Sequence, residues 1–356
     1  MADRTGVAAA AAADPVHRTA GYVDLSQDAK QMSRIFVALG LAEPGESVVA
    51  VPLTGGVSSG IYRVDLRSGS YCLKQALPRL KVAKEWKVPV ERVFAEVAWL
   101  QTVARIVPGH VPPVLGQDED SKSFVMPYLG PQYRNWKSEL LEGRVDVAVA
   151  QSVGDVLGKI HANTADNPAL AARFATDENF HAIRLEPYLV EAARVHPTLA
   201  PTLLAAVERT ARTRRVLVHG DVSPKNILLG PSGPVLLDAE CAWYGDPAFD
   251  VAFCLNHFLL KIAHRPGCRE ALMASYRAMT RAYFAHVSWE PVGSLEQRVA
   301  ALLPGLALAR VDGKSPVEYL NEHRRAWVRQ IASRLLRETP TSLETIAVRW
   351  AGELSA

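Results

Sequence analysis

The stretch Val218-His219-Gly220-Asp221-Val222-Ser223-Pro224-Lys225-Asn226-Ile227-Leu228-Leu229, followed by Val235-Leu236-Leu237-Asp238-Ala239-Glu240, decides how the chain is read. Three very short apolar runs, 216–218, 227–229 and 235–237, bracket the loop 219–226 and the turn 231–234. The pattern predicts three short strands that hold functional loops. Two carboxylates, Asp221 and Asp238, and one carboxamide, Asn226, are thereby fixed between them. Magnesium prefers hard oxygen ligands and commonly takes only one or two from protein, leaving room for water and substrate phosphates. Asn226 and Asp238 suit that task. Asp221, at the start of the same loop, is placed to orient or deprotonate an acceptor hydroxyl opposite a metal-bound triphosphate.

The segment resembles the catalytic loop of the protein-kinase-like superfamily in its aminoglycoside phosphotransferase and choline kinase branch. The branch pattern H-G-D-x-x-x-x-N is met in place by His219, Gly220, Asp221 and Asn226. The resemblance implies Asp221 as the catalytic residue serving the acceptor, Asn226 and Asp238 as ligands of Mg2+, and ATP as co-substrate. Protein kinases set an arginine beside the catalytic aspartate, where it can grip a phosphorylated activation loop; here that position is Gly220. Only a short stretch separates Asp238 from the helix expected near Phe249, which leaves little room for an activation segment. A small-molecule hydroxyl acceptor is therefore expected, and not a protein.

Working outward toward the N terminus, Leu25 to Leu39 carries a helical stripe stopped at Gly40, with Asp24 or Ser26 as N-cap. The runs 48–53, 61–66 and 71–77 then predict three hairpin-linked strands, 90–107 a helix, and 111–115 and 124–128 two further strands. The expected architecture is bilobal α+β: an antiparallel five-stranded sheet with one major helix, then a mostly helical lobe, with the nucleotide between them. The boundaries expected are a disordered tail at 1–20, a nucleotide-binding lobe at 21–128, and a catalytic and acceptor-binding lobe at 129–356. Helical breaks are expected near Pro266, Pro291, Pro304, 312–316 and Pro340.

Several residues of the first lobe are nucleotide-binding candidates. Gly55, Gly56, Ser58 and Ser59 fill the first hairpin turn, where backbone amides can approach phosphates, although glycines there equally serve a plain turn. Lys74 stands in an otherwise apolar strand, and Glu96 is among the inward positions of the next helix. The resemblance implies that this pair holds the ammonium over the phosphates, with Glu91 and Glu85 as rival partners. Met126 and Tyr128 end a strand where the superfamily's hinge offers backbone groups to adenine; interlobe core is the other reading of both. Three residues support the loop. His219 reads as a packing residue that ties the backbone together, as does His161. Asp250 resembles the family's brace of the catalytic loop, or is an ordinary acid at a helix start. Glu240 either assists a second metal or the acceptor, or only orients Asp238.

Composition narrows the partners. Lys plus Arg at 40 against Asp plus Glu at 37 gives +3, too near neutrality to mark nucleic acid or an anionic membrane. No apolar run reaches the ~18 to 20 residues of a membrane span, and 251–263 is broken by Asn256, His257 and Lys261. The four cysteines form no CxxC pair, which fits reduced thiols and a cytoplasmic setting. A polycationic aminoglycoside would prefer a strongly acidic cleft; the overall balance supplies none, while local acids such as Asp246, Glu318 and Glu322 leave that acceptor open. Arg310, Asp312, Lys314 and Tyr319 bring both charge signs to a loop and helix start, which suits a sugar, an anionic metabolite or a solvated loop. The leading expectation is an ATP-dependent kinase of small-molecule hydroxyls. A regulatory pseudokinase and a metallophosphoesterase reading of His219, Asp221 and Asp238 stand as alternatives.

Overall fold

The computed structural model describes residues 22–53, 58–78 and 89–352. The expected tail at 1–20, together with Gly55, Gly56 and Glu85, lies outside the described residues. The first helix, α1 (Ala29–Ala38), is capped by Asp28, whose side chain accepts from the Gln31 amide, and not by Asp24 or Ser26. It covers one face of a five-stranded antiparallel sheet formed by β1 (Ala50–Pro52), β2 (Ser59–Leu66), β3 (Gly69–Ala76), β4 (Gly116–Asp118) and β5 (Ser123–Pro127) in the order β1-β2-β3-β5-β4. Met32, Ile35 and Phe36 of α1 pack there on Tyr62, Val64, Leu73 and Val125. The other face takes α2 (Arg92–Val103). The fourth strand begins later than the expected 111–115, because Pro112 and Pro113 have no amide hydrogen to give a ladder; pairing starts when the Leu115 amide donates to Val125.

Beyond Pro127 the chain is mainly helical. Its principal helices are α3 (Val147–Thr164), α4 (Pro247–His264), α5 (Arg269–Phe284), α6 (Val292–Asp312) and α7 (Glu322–Glu338). Every residue of α4 from Pro247 to Ala263 is buried, so its apolar run is the axis of a core. Among the described residues no helix is long and apolar enough to cross a membrane. Pro304 does not break the chain as expected; it lies buried inside α6. An interior proline costs ~3 kcal/mol, and neighbours such as Leu302, Leu303 and Leu306, all buried, each return about 1.5–3 kcal/mol on burial. Tertiary packing outweighs the local rule.

Two small sheets set into this helical half carry the loops of interest. One is β6 (Arg134–Asn135), β8 (Ile227–Gly230) and β9 (Gly233–Leu236); the other pairs β7 (Val216–Val218) with β10 (Trp243–Gly245). The apolar runs behind β7, β8 and β9 were legible in the sequence, whereas the two polar residues of β6 and the Trp-Tyr-Gly of β10 form no aliphatic run and were not singled out.

Candidate active site

The loop 219–226 is held by a buried carboxylate. Asp250, fully buried in the first turn of α4, accepts from the amides of His219 (2.7 Å) and Gly220 (2.8 Å). Its Oδ2 also meets His161 Nε2 at 3.3 Å, and His161 Nδ1 lies 2.8 Å from the Tyr283 hydroxyl. Of the two readings of Asp250, the brace fits these contacts. Gly220 sits at φ 80°, and a Cβ added there would come within 2.7 Å of Cys241. Both the backbone angle and the space at this position call for glycine.

His219 is committed to backbone on both ring nitrogens. Its Nδ1 accepts from the Asp221 amide at 3.1 Å, which leaves Nε2–H to donate to the Leu237 carbonyl at 3.1 Å. Burial keeps the ring below its ordinary pKa despite the nearby carboxylates, and the neutral ring links two points of the backbone. Trp99 meets it edge-on at 4.7 Å.

Asp221 is 2% exposed. One carboxylate oxygen, Oδ2, takes the Arg184 guanidinium at 2.7 Å and the half-exposed Lys225 ammonium at 3.1 Å. Burial alone would raise this carboxyl, but Arg184, and more weakly the solvent-screened Lys225, hold it below the usual range. The other oxygen, Oδ1, is buried with no hydrogen-bond partner among the described residues. Asn226 turns its amide nitrogen to the Asp221 carbonyl (3.1 Å), which leaves its side-chain oxygen as the group for another ligand. Asp238 follows β9 at φ 68°, a left-handed angle that aspartate tolerates better than most residues.

Lys74 on β3 joins the two halves. Its ammonium is 2.7 Å from Glu96 and also ion-paired with Asp238. Burial opposes the charge, but the two carboxylates outweigh it and the lysine is held cationic. Two acids share one ammonium unequally. Asp238, partly solvated, is drawn below its ordinary value, while burial and repulsion from Asp238 leave Glu96 raised. Glu96 is thus a partner of Lys74, and Glu91 stands at the helix N-cap; Glu85 lies outside the described residues.

One face of α2 carries more than the expected glutamate. Arg92 binds Glu240 at 2.9 Å and the carbonyls of Ser58 (2.5 Å) and Leu77 (2.9 Å). Arg92, Glu96 and Trp99 follow the i, i+4, i+7 spacing of a single helical face. Glu240, read as helping a metal or the acceptor or as orienting Asp238, pairs with Arg92 through its Oε2. Ser58 and Ser59 are buried. Met126 lies in the core that also takes Val97, Trp99, Leu236 and Ala239. Tyr128 gives its amide to Ser70 (3.0 Å) and lies under the Arg63 guanidinium, 4.6 Å from the ring centroid.

Arg184 was not anticipated. It comes from the π-helical stretch His181–Val190, where the wider turn and Pro187 disturb the usual spacing. No local pattern links a residue so far upstream to the loop. Arg92 and Trp99 had a faint signal, their spacing from Glu96.

The profile of the Phosphotransferase enzyme family matches residues 49–292. The chain belongs to this family. Methylthioribose kinase of Pectobacterium atrosepticum is 24% identical over 308 residues, covering 78% of this chain and 74% of that one. Methylthioribose kinase 1 of Oryza sativa subsp. japonica is 25% identical over 239 residues, 58% of this chain and 55% of that one. In fold, the chain is similar to an ethanolamine kinase of Plasmodium vivax (TM-score 0.56, 11% identity, 85% of this chain and 87% of that one). It is likewise similar to amicoumacin kinase hAmiN, solved with AMP-PNP and Ca2+ (TM-score 0.56, 14% identity, 90% and 96%). The family member described here is a small-molecule kinase with the bilobal kinase-like fold.

Proposed function

We propose that the enzyme transfers the γ-phosphoryl group of ATP to a hydroxyl of a small molecule, with Asp221 as its catalytic residue. The observation that carries this is the division of labour on Asp221: one oxygen clamped by Arg184, the other buried and without a partner. Such an oxygen fits an acceptor hydroxyl. A carboxylate held below its usual pKa is a weak base, so it first orients the hydroxyl and takes the proton only as the new O–P bond forms. Lys74, kept cationic by Glu96 and Asp238, is in this reading the group that meets the phosphates. Ser58 and Ser59, with Gly55 and Gly56, belong in this proposal to the phosphate turn, and the hinge near Met126 and Tyr128 to adenine. At Tyr128 the carbonyl is the group for the base, since the amide serves Ser70.

The residues present fit Mg2+. The side-chain oxygen of Asn226 and the carboxylate of Asp238 are the hard donors it takes, and two protein ligands are enough. When bound, the ion supplies neutralisation of phosphate charge. Among the described residues no group of three or more His, Cys, Asp or Glu is placed to hold a metal, which speaks against a two-metal phosphoesterase. The nucleotide lobe at 21–128 and the acceptor lobe at 129–356 are part of the same reading.

The test is Asp221→Asn. Turnover should fall about 10²–10⁴-fold, the range of a lost general base, while ATP affinity measured by calorimetry is retained. An Asp221→Asn enzyme as active as the wild type would refute the assignment.

A further inference from the structure

From Asp221 a continuous set of contacts runs into the helical half, and its charge is one-sided. Arg184, bound to Asp221, lies 5.9 Å from the Tyr188 ring centroid and 5.8 Å from that of Phe253. Phe253 meets His257 edge-on at 5.8 Å. Arg310 of α6 stands over the same Tyr188 ring at 5.7 Å. One turn past His257 on α4, Lys261 is 1% exposed, its ammonium 5.3 Å from the Tyr319 ring centroid.

Among the described residues Lys261 has neither a carboxylate nor a hydrogen-bond partner. Arg310 is held by the Ser315 carbonyl and hydroxyl and by the Tyr188 hydroxyl, and its Nε is buried and unpartnered. The Tyr319 hydroxyl is likewise buried and unpartnered. The carboxylates of this region are already engaged: Asp221 by Arg184 and Lys225, and the exposed Glu318 by Lys137. Burial, with Lys137 and Arg310 nearby, pushes Lys261 down to about 7, and burial with Lys261 and Arg310 nearby holds His257 well below its ordinary value. A buried ammonium without a counter-ion is costly. A ligand that brings the counter-ion removes that cost.

We propose that the acceptor is an anionic alcohol, bearing a carboxylate or phosphate that Lys261 and Arg310 bind while its hydroxyl faces Asp221. This deepens the phosphotransferase reading above and rests on it. The acceptor oxygen bonds to the γ-phosphorus, the bond from that phosphorus to the bridging oxygen breaks, ADP leaves with the electron pair, and the hydroxyl proton passes to Asp221. The arrangement excludes choline-like and aminoglycoside-like cations by repulsion.

The experiment measures ADP formation from MgATP with two matched sets. The first is glycerate, glycerol 3-phosphate, glycerol and 3-amino-1,2-propanediol; the second is gluconate, glucose 6-phosphate, glucitol and glucosamine. Turnover is expected only with carboxylate or phosphate members, and which of the two reacts identifies the anion. Lys261→Met should raise the acceptor KM about 10–100-fold, as loss of a charged hydrogen bond does, with the KM for ATP unchanged. An apolar residue is well tolerated at a buried charge, and Lys261→Gln with a melting curve checks folding. Preference for a neutral or cationic member, or an unchanged KM in Lys261→Met, overturns the inference and leaves phosphoryl transfer standing. If no member turns over, the same anions are titrated calorimetrically into MgADP-saturated protein. Heat that Lys261→Met abolishes supports the inference, and its absence overturns it. MgATP failing to bind at all would instead overturn the underlying reading.

Discussion

Replacing Arg184 with glutamine removes the guanidinium that donates to Asp221 Oδ2 at 2.7 Å, to the Gly220 carbonyl at 2.5 Å and to the Ile183 carbonyl at 2.6 Å. Arg184 and Asp221 are both buried, so solvent does little to screen the loss. Breaking a buried pair from one side costs about 3–5 kcal/mol, and the remaining Lys225 contact places the expected value at the lower end. Asp221 loses its main opposing charge, burial then dominates, and its pKa rises. The acid limb of the kcat profile should therefore move to higher pH, because the ionised carboxylate needed for the hydroxyl is lost sooner on acidification. Urea unfolding gives the stability term, and a pH series under saturating ATP gives the limb. In an Asp221→Asn background the stability cost of Arg184→Gln should shrink, since no charge is left stranded. A limb that superimposes on the wild type, with the same cost in both backgrounds, would refute the account of Arg184.

Two further outcomes follow from the same geometry. Gly220→Ala forces a Cβ to 2.7 Å from Cys241 at φ 80°; it should destabilise by at least about 1–3 kcal/mol and lower kcat by displacing Asp221, both readable by thermal melting and steady-state kinetics. His219 and His257 have folded pKa values below their ordinary ~6.5. The unfolded chain therefore binds more protons in that range, and stability should fall as pH drops below about 6.5, with a shallower loss in His257→Gln, measured by urea midpoints across pH.

The loop 219–226 with Asp238 was legible as a candidate site because its chemistry is local. His219, Gly220, Asp221, Asn226 and Asp238 lie within twenty residues, and short strands of apolar residues betray the frame around them. Lys74 and Glu96 were legible for a different reason: a charge within an apolar strand and an acid on an inward helical face both violate burial unless they meet. Arg184 had no such signature, since an arginine in a distorted helix looks like a surface residue until the fold carries it to the loop. The Arg92–Glu240 pair was not legible either, because spacing alone does not encode a guanidinium brought within bonding distance of a carboxylate so far along the chain. Pro304 shows the converse, a strong local signal overruled by packing around α6.

Helix α2 ends up as a single rigid lever with three separate anchors. Arg92 and Trp99 fasten it to the segment after β9 and to the catalytic loop, and Glu96 fastens it to β3. Any widening of the cleft to exchange nucleotide must cut one set of these ties. If the helix travels with the sheet, the Arg92–Glu240, indole and Lys74–Asp238 contacts part; if it stays behind, the lysine loses its glutamate and Arg92 loses the carbonyls of Ser58 and Leu77. Ligand turnover and the alignment of Lys74 are thus mechanically the same event.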